Sequence, residues 1–227
     1  MEEMSVRRDG RLLCARFARP HRVLSHAVVR PGLVETDGVA WCQVDDDELA
    51  PPVDPVQLLT GRLAAAGVPG AVGLLTSADL ATSVDVERRV EDLVVRTVAT
   101  VGLDNARRAG DPWDVAPSAG TINVLVRASR PLADAALIEM LAIAVEARAM
   151  AVLEGGVASR RSGLAATGTG TDCTVVAAPC GAAVTAYAGK HTALGHLVGA
   201  TVAEAVGHGV AQWLDRHPSR RMAGRPS

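Results

Sequence analysis

The chain has 227 residues and a mass of 23.4 kDa, long enough for one domain that hides about 70% of its extended surface without metal or disulfide staples. A formal net charge of -2 excludes a general nucleic-acid binder, which needs a basic excess. No apolar run reaches the ~20 residues that span a bilayer, and the start, MEEMSVRRDG, lacks the apolar stretch of a secretory signal, so the expectation is a soluble, cytoplasmic, globular protein.

Residues 1–10 read as a disordered tail. Two short apolar runs, 11–18 and 23–29, read as strands broken at Pro20 and at Pro31-Gly32, with 39–44 as a third. The run Asp45-Asp46-Asp47-Glu48 before Pro51-Pro52 reads as a solvated turn, because it lacks the alternating ligands, central glycine and terminal glutamate of a calcium loop. Residues 55–66 form a helix, with Val56, Leu59 and Leu63 near one face and Gly67 as its stop. Residues 71–75 and the Val/Thr-rich 93–101 are strands, 104–108 is a helical turn, and 111–119, with two prolines, is a loop. TINVLV (121–126) is a strand. Residues 134–153 repeat apolar positions at three and four and end at Gly155-Gly156. A loop over 160–172 leads to a hairpin of 174–178 and 183–187, and the last helix starts near Thr192. Residues 215–227, rich in Arg and Pro, read as a second disordered tail. Neighbouring strands without helices between them predict an α+β fold: one domain over 11–214, with a mixed or antiparallel sheet packed against amphipathic helices.

Two peculiarities of composition bear on chemistry. Aromatic residues are 2% of the chain, so the core and any ligand pocket must be lined by Ala, Val and Leu. Arginine occurs 22 times and lysine once, at Lys190, which leaves open chance or a site needing an ammonium. Cys14, Cys42, Cys173 and Cys180 form no C-x-x-C pair, and no histidine pair completes a metal knuckle, so no protein-bound metal is expected.

Three features could carry a reaction. The stretch Thr167-Gly168-Thr169-Gly170-Thr171-Asp172 alternates hydroxyls with glycines that let a backbone approach a ligand closely, though a flexible turn explains it equally well. It does not match G-x-G-x-x-G, and Gly189-Lys190 does not complete a P-loop. The second feature is Gly189-Lys190-His191-Thr192. Here Thr192 suits an N-cap, and His191 is either a base oriented by Asp172 or a surface residue beside the cap. The third is the pair of asparagines, Asn105 and Asn123. Asn123 interrupts an apolar strand, where its amide must anchor a loop or meet a substrate carbonyl. Glu146 and Arg148 read as solvent-face charges, and His21, His26, His208 and His217 as incidental, His26 least clearly because Ser25 precedes it.

Taken in order, VLSHAVVRPGL (23–33), GLDNARRAG (102–110), GTINVLV (120–126), VEARAMAVLE (145–154), ATGTGTD (166–172) and GKHTALGHLVG (189–199) resemble the adenosylcobinamide amidohydrolase family of corrinoid salvage, over roughly residues 20–214. The chain departs from that pattern at Asp104 and Cys173, where the family favours Ser, at Arg148, where it favours Lys, and at Trp41-Cys42, where it has an Asn-His pair. The resemblance implies hydrolysis of the amide between a corrin propionyl arm and aminopropanol, giving adenosylcobyric acid for coenzyme B12 synthesis. It implies a small-molecule corrinoid partner and no cofactor, cobalt entering only with the substrate. The expected catalytic group is His191, Asp172, Thr169 and Thr171. Gly168, Gly170, Asn105, Asn123, Lys190 and Thr192 are expected to bind the substrate. The alternatives are a non-catalytic corrinoid carrier, an amidohydrolase with a threonine freed by self-cleavage, and a structural role in which the Ala-rich helices pack a homo-oligomer.

Overall fold

The computed structural model describes residues 3–113, 120–182 and 185–222. The N-terminal segment is not a loose tail. Strand β1 (Met4–Asp9) pairs antiparallel with the first half of β2 (Leu12–Ser25), from Met4↔Phe17 to Asp9↔Leu12. Its sequence signal is weak because Met4 and Val6 are its only apolar residues. Tertiary contacts fix it instead: Met4 is buried in the core, and Glu3 pairs with the buried Arg127. Pro20 does not end β2 either. Between Arg16↔Gly38 and His21↔Thr36, five steps along β2 face two along β3 (Gly32–Gln43), and the strand bends through this bulge. Proline has no N–H for the ladder and is tolerated where the ladder is already interrupted. The expected strand 11–18 and the start of 23–29 are thus one long bent strand that ends at Ser25, and 26–29 lie beyond it.

β3 pairs in parallel with β4 (Val72–Thr76), and helix α1 (Pro55–Ala65) makes the crossover. Asp54 caps α1 by accepting a hydrogen bond from the Val56 N–H at 2.8 Å. Leu59 and Leu63 are its buried face. β5 (Val84–Val90), which the charged sequence DVERR conceals, forms a hairpin with β6 (Leu93–Val101). Ala106–Arg107, expected as a helical turn, is the short strand β7. β8 (Ile122–Ala128) is buried on both faces, with Asn123 and Arg127 as polar residues buried within its apolar run. Ile122, Val124 and Val126 join the core under the helices, and Leu125 joins the core on the opposite face.

Helix α2 (Asp134–Gly155) ends where Gly156 turns left-handed at φ 70°. After it come β9 (Gly168–Thr169), which pairs with β7, and β10 (Cys173–Pro179), which lies parallel to β8. Among the described residues the expected hairpin after Pro179 is not seen. Thr185 makes only an isolated bridge to Leu132, and residues 183–184 lie outside the described residues. Helix α3 (Ala193–Arg216) continues into a short 3-10 turn over Pro218–Arg220, and Arg221 bridges back to Val157. The C-terminal segment is therefore structured to residue 222, because those bonds reach the α2 C-terminus. Residues 223–227, like 114–119 in the expected loop, lie outside the described residues.

The sheet order is β4-β3-β2-β10-β8-β6-β5, with β1 also on β2. It is mixed, with α2 and α3 packed on one face, and the molecule is a single α+β domain. Among the described residues no helix is long and apolar enough to cross a membrane.

Candidate functional site

One end of the sheet gathers the starts of β8 and β10, the end of β2 and the strand pair β7–β9. Its centre is Asp172, whose side chain is 7% exposed. Oδ1 accepts from the Ile122 N–H at 3.0 Å and from the Thr169 hydroxyl at 2.5 Å. Oδ2 accepts from the Thr169 N–H at 2.9 Å and faces the Arg148 guanidinium at 3.4 Å. One carboxylate thus ties the Thr-Gly loop to the central strand and to α2. Gly168 is required here, because a Cβ on it would stand 2.1 Å from the Asp172 carboxylate. Its missing side chain makes room for the Asp172 carboxylate.

The rest of the loop is laced to the same end. The Thr171 hydroxyl donates to the Gly120 carbonyl at 3.2 Å, and the Thr171 carbonyl accepts from the Thr121 hydroxyl at 2.9 Å. Asn105 lies under Gly170, whose Cβ position is 2.9 Å from the Asn105 Nδ2. Asn105 is buried and accepts from the Arg107 Nε at 3.4 Å. Gly170 and Thr171 are exposed, and Thr169 is half-buried. These are hydroxyl and backbone groups that a ligand could reach.

Asn123 is 1% exposed. Its Nδ2 donates to the Leu75 carbonyl at 2.8 Å, which holds the end of β4 against β8, and its Oδ1 lies 3.3 Å from the Thr121 hydroxyl, whose hydrogen goes to the nearer Thr171 carbonyl. Asn123 thus serves as an anchor between strands.

The second expected cluster stands elsewhere. Thr192 is the N-cap of α3, accepting from the Gly195 N–H at 3.0 Å and donating to the Gly189 carbonyl at 2.8 Å. Lys190 pairs with Glu146 on α2, and both side chains are more than half exposed. Further along α3, Gly209 packs on Val101, which pairs with Ile122, the residue bonded to Asp172. Seventeen positions separate Thr192 from Gly209 within one helix, a rise of about 25 Å. Among the described residues no hydrogen bond or ion pair joins His191, Lys190 or Thr192 to Asp172, and Lys190 instead meets Glu146, two residues before Arg148 on α2. The expected His191–Asp172 pair does not form, because α3 begins beside the N-terminal half of α2, where Glu139 accepts from the Ala188 N–H.

Two residues take part that the sequence reading passed over. Arg148 is not a solvent-face charge. Its side chain is 12% exposed, and its buried Nε has no hydrogen-bond partner among the described residues. It lies four positions after Ala144 and four before Val152, both buried, so helical spacing already put it on the inner face. The other is His26. Its Nε2 lies 2.9 Å from the Asp172 carbonyl, and the residue is open to solvent. The pattern had no means to join positions 146 residues apart, although Ser25-His26 lies within the segment that carries the family resemblance. Cys173, beside Asp172, is buried, and burial pushes its thiol up to about 12, so it is not a thiolate nucleophile at neutral pH. Trp41 and Cys42 are core residues, 0% and 1% exposed. Among the described residues no three His, Cys, Asp or Glu side chains stand together as a metal site.

A family model described as adenosylcobinamide amidohydrolase (CbiZ) matches residues 1–218. Among solved structures, the chain is similar to a beta-aminopeptidase from Burkholderia sp., with 12% identity and a TM-score of 0.42, over 93% of this chain and 82% of that one. It is also similar to the PH0078 protein from Pyrococcus horikoshii OT3, with 11% identity and a TM-score of 0.47, over 98% and 85% of the two chains. No curated protein matches the sequence. The family match takes in every segment that builds the Asp172 end of the sheet, and on that extent the chain belongs to the adenosylcobinamide amidohydrolase family.

Proposed function

We propose that this protein hydrolyses the amide joining a corrin propionyl arm to aminopropanol, taking adenosylcobinamide to adenosylcobyric acid, which re-enters coenzyme B12 synthesis. One observation carries the reading within the family: Thr169, Thr171 and His26 meet around Asp172 at one solvent-facing end of the sheet. An unactivated amide needs a nucleophile, a proton acceptor and donors for the developing oxyanion, and hydroxyls, an imidazole and loop N–H groups are such groups. The cobalt belongs to the substrate. Only the amide arm of the flat macrocycle has to reach the Thr-Gly loop, and the ring can lie outside on aliphatic surface.

Incubation of the purified protein with adenosylcobinamide tests this. The expected products are free aminopropanol, read by amine derivatisation, and a corrinoid carrying one more carboxylate, read by its anion-exchange mobility. The intact mass of the chain should be unchanged, since no freed N-terminal threonine is involved. Corrinoid binding without release of aminopropanol would make the protein a carrier and overturn the reading.

A further inference from the structure

We propose that His26 is the general base of this hydrolysis, taking the proton of the attacking water on its Nδ1; the assignment rests on the amidohydrolase reading above. The partner of Nε2 is the Asp172 carbonyl oxygen, which can only accept, so Nε2 carries the hydrogen. The neutral ring then bears its lone pair on Nδ1, which bonds to nothing among the described residues. A fixed ring with one nitrogen held by an acceptor and the other free is the arrangement a base needs.

The segment that carries His26 is held firmly. The Ser25 hydroxyl accepts from the Ala27 N–H at 3.3 Å. Val29 and Gly73 exchange two backbone hydrogen bonds at 3.0 and 3.2 Å, clamping the segment to β4. Arg30 adopts a left-handed φ of 59° and donates to the Glu35 carbonyl at 2.7 Å, closing the turn into β3. The imidazole is therefore fixed beside Thr169–Asp172 from a separate part of the chain.

Other bases are less suited. The Asp172 carboxylate already receives three hydrogen bonds and faces Arg148. Among the described residues His191 makes no hydrogen bond or ion pair to Asp172, and His21 is fully buried. In the reaction, water forms the new C–O bond as its proton passes to Nδ1. The imidazolium then gives that proton to the amide nitrogen as the C–N bond breaks. The remaining acid proton goes to the amine, leaving a carboxylate and an aminopropanol ammonium, with no other co-reactant.

The test compares wild type, His26→Ala and His26→Gln with adenosylcobinamide under single-turnover conditions, with the Kd for the corrinoid and the thermal midpoint of each protein. Both variants should lose a factor of about 100 to 10,000 in rate, while Kd stays within about threefold. Added imidazole should restore part of the rate to His26→Ala and none to His26→Gln, whose side chain fills the space. If His26→Ala fails to fold, His26→Gln, which can still donate to the Asp172 carbonyl, decides. A folded variant that turns over within threefold of an active wild type overturns the base assignment alone. A wild type that binds corrinoid and releases no aminopropanol overturns the hydrolase reading and this assignment with it.

Discussion

At the scale of the residue, a second polar cluster explains how the buried Arg127 is tolerated beside the half-exposed Glu3. Arg127, with its side chain 4% exposed, donates its Nε to the His21 Nε2 at 3.1 Å and pairs with Glu3. His21 is 0% exposed, gives its Nδ1 hydrogen to the Arg19 carbonyl at 2.8 Å and stacks on Phe17. As an acceptor from Arg127 it must be neutral, and burial, with the neighbouring arginines, lowers it from the ordinary 6.5 to about 4. The unfolded chain therefore binds a proton that the folded chain refuses between these values. Stability is full above pH 6.5 and falls as pH drops toward 4, by on the order of 3 kcal/mol. Glu3, held below the usual carboxylate range by Arg127, adds loss in the same direction at lower pH. Urea unfolding at pH 7, 5.5 and 4 should show this decline, and His21→Phe should flatten the part between 6.5 and 4. An equal slope in the variant would assign the effect to other groups.

At the scale of the element, the packing of α3 on the sheet depends on glycines that the sequence alone cannot rank. A Cβ on Gly209 would meet Val101 at 2.5 and 2.9 Å, whereas one on Gly207 meets nothing within 4 Å. The two substitutions to alanine should therefore differ in sign. Gly207→Ala removes backbone freedom from the unfolded chain and should stabilise by about 0.5–1 kcal/mol. Gly209→Ala forces α3 away from β6 and should cost about 1–3 kcal/mol. Chemical denaturation of the two variants checks this, and a destabilised Gly207→Ala would contradict the described helix packing.

At the scale of the whole molecule, β1 joins the two halves of the fold. It pairs with β2 by register, and through Glu3 it neutralises an arginine on β8, on the other side of β10. Removing the chain through Asp9 takes the buried Met4 out of the core and the half-exposed Glu3 away from Arg127, and losing the buried side chain alone costs about 2–5 kcal/mol. For a chain of this size the midpoint of thermal unfolding should fall by roughly 10 °C. A truncated protein melting within 2 °C of the full chain would show that β1 is dispensable.

What the sequence determined by itself was local. Apolar periodicity located α1, α2, α3 and most of the strands, since each signal lies within one turn or one pleat of the chain. The Thr-Gly loop, Asp172 and Asn105 were also legible, as unusual residues in an otherwise aliphatic chain. The tertiary structure decided the partners. The sequence offered His191 to Asp172 because nineteen positions looked close, but among the described residues no hydrogen bond or ion pair joins them. His26, 146 positions away, meets Asp172 because β2 and β10 are antiparallel neighbours whose register sets Ser25 opposite Val175. Arg148 and Asn123 were settled in the same way. Whether a polar side chain is a solvated charge, an anchor or a ligand contact depends on which strand or helix lies against it, and strand order is fixed by the burial of both sheet faces together rather than by any one segment.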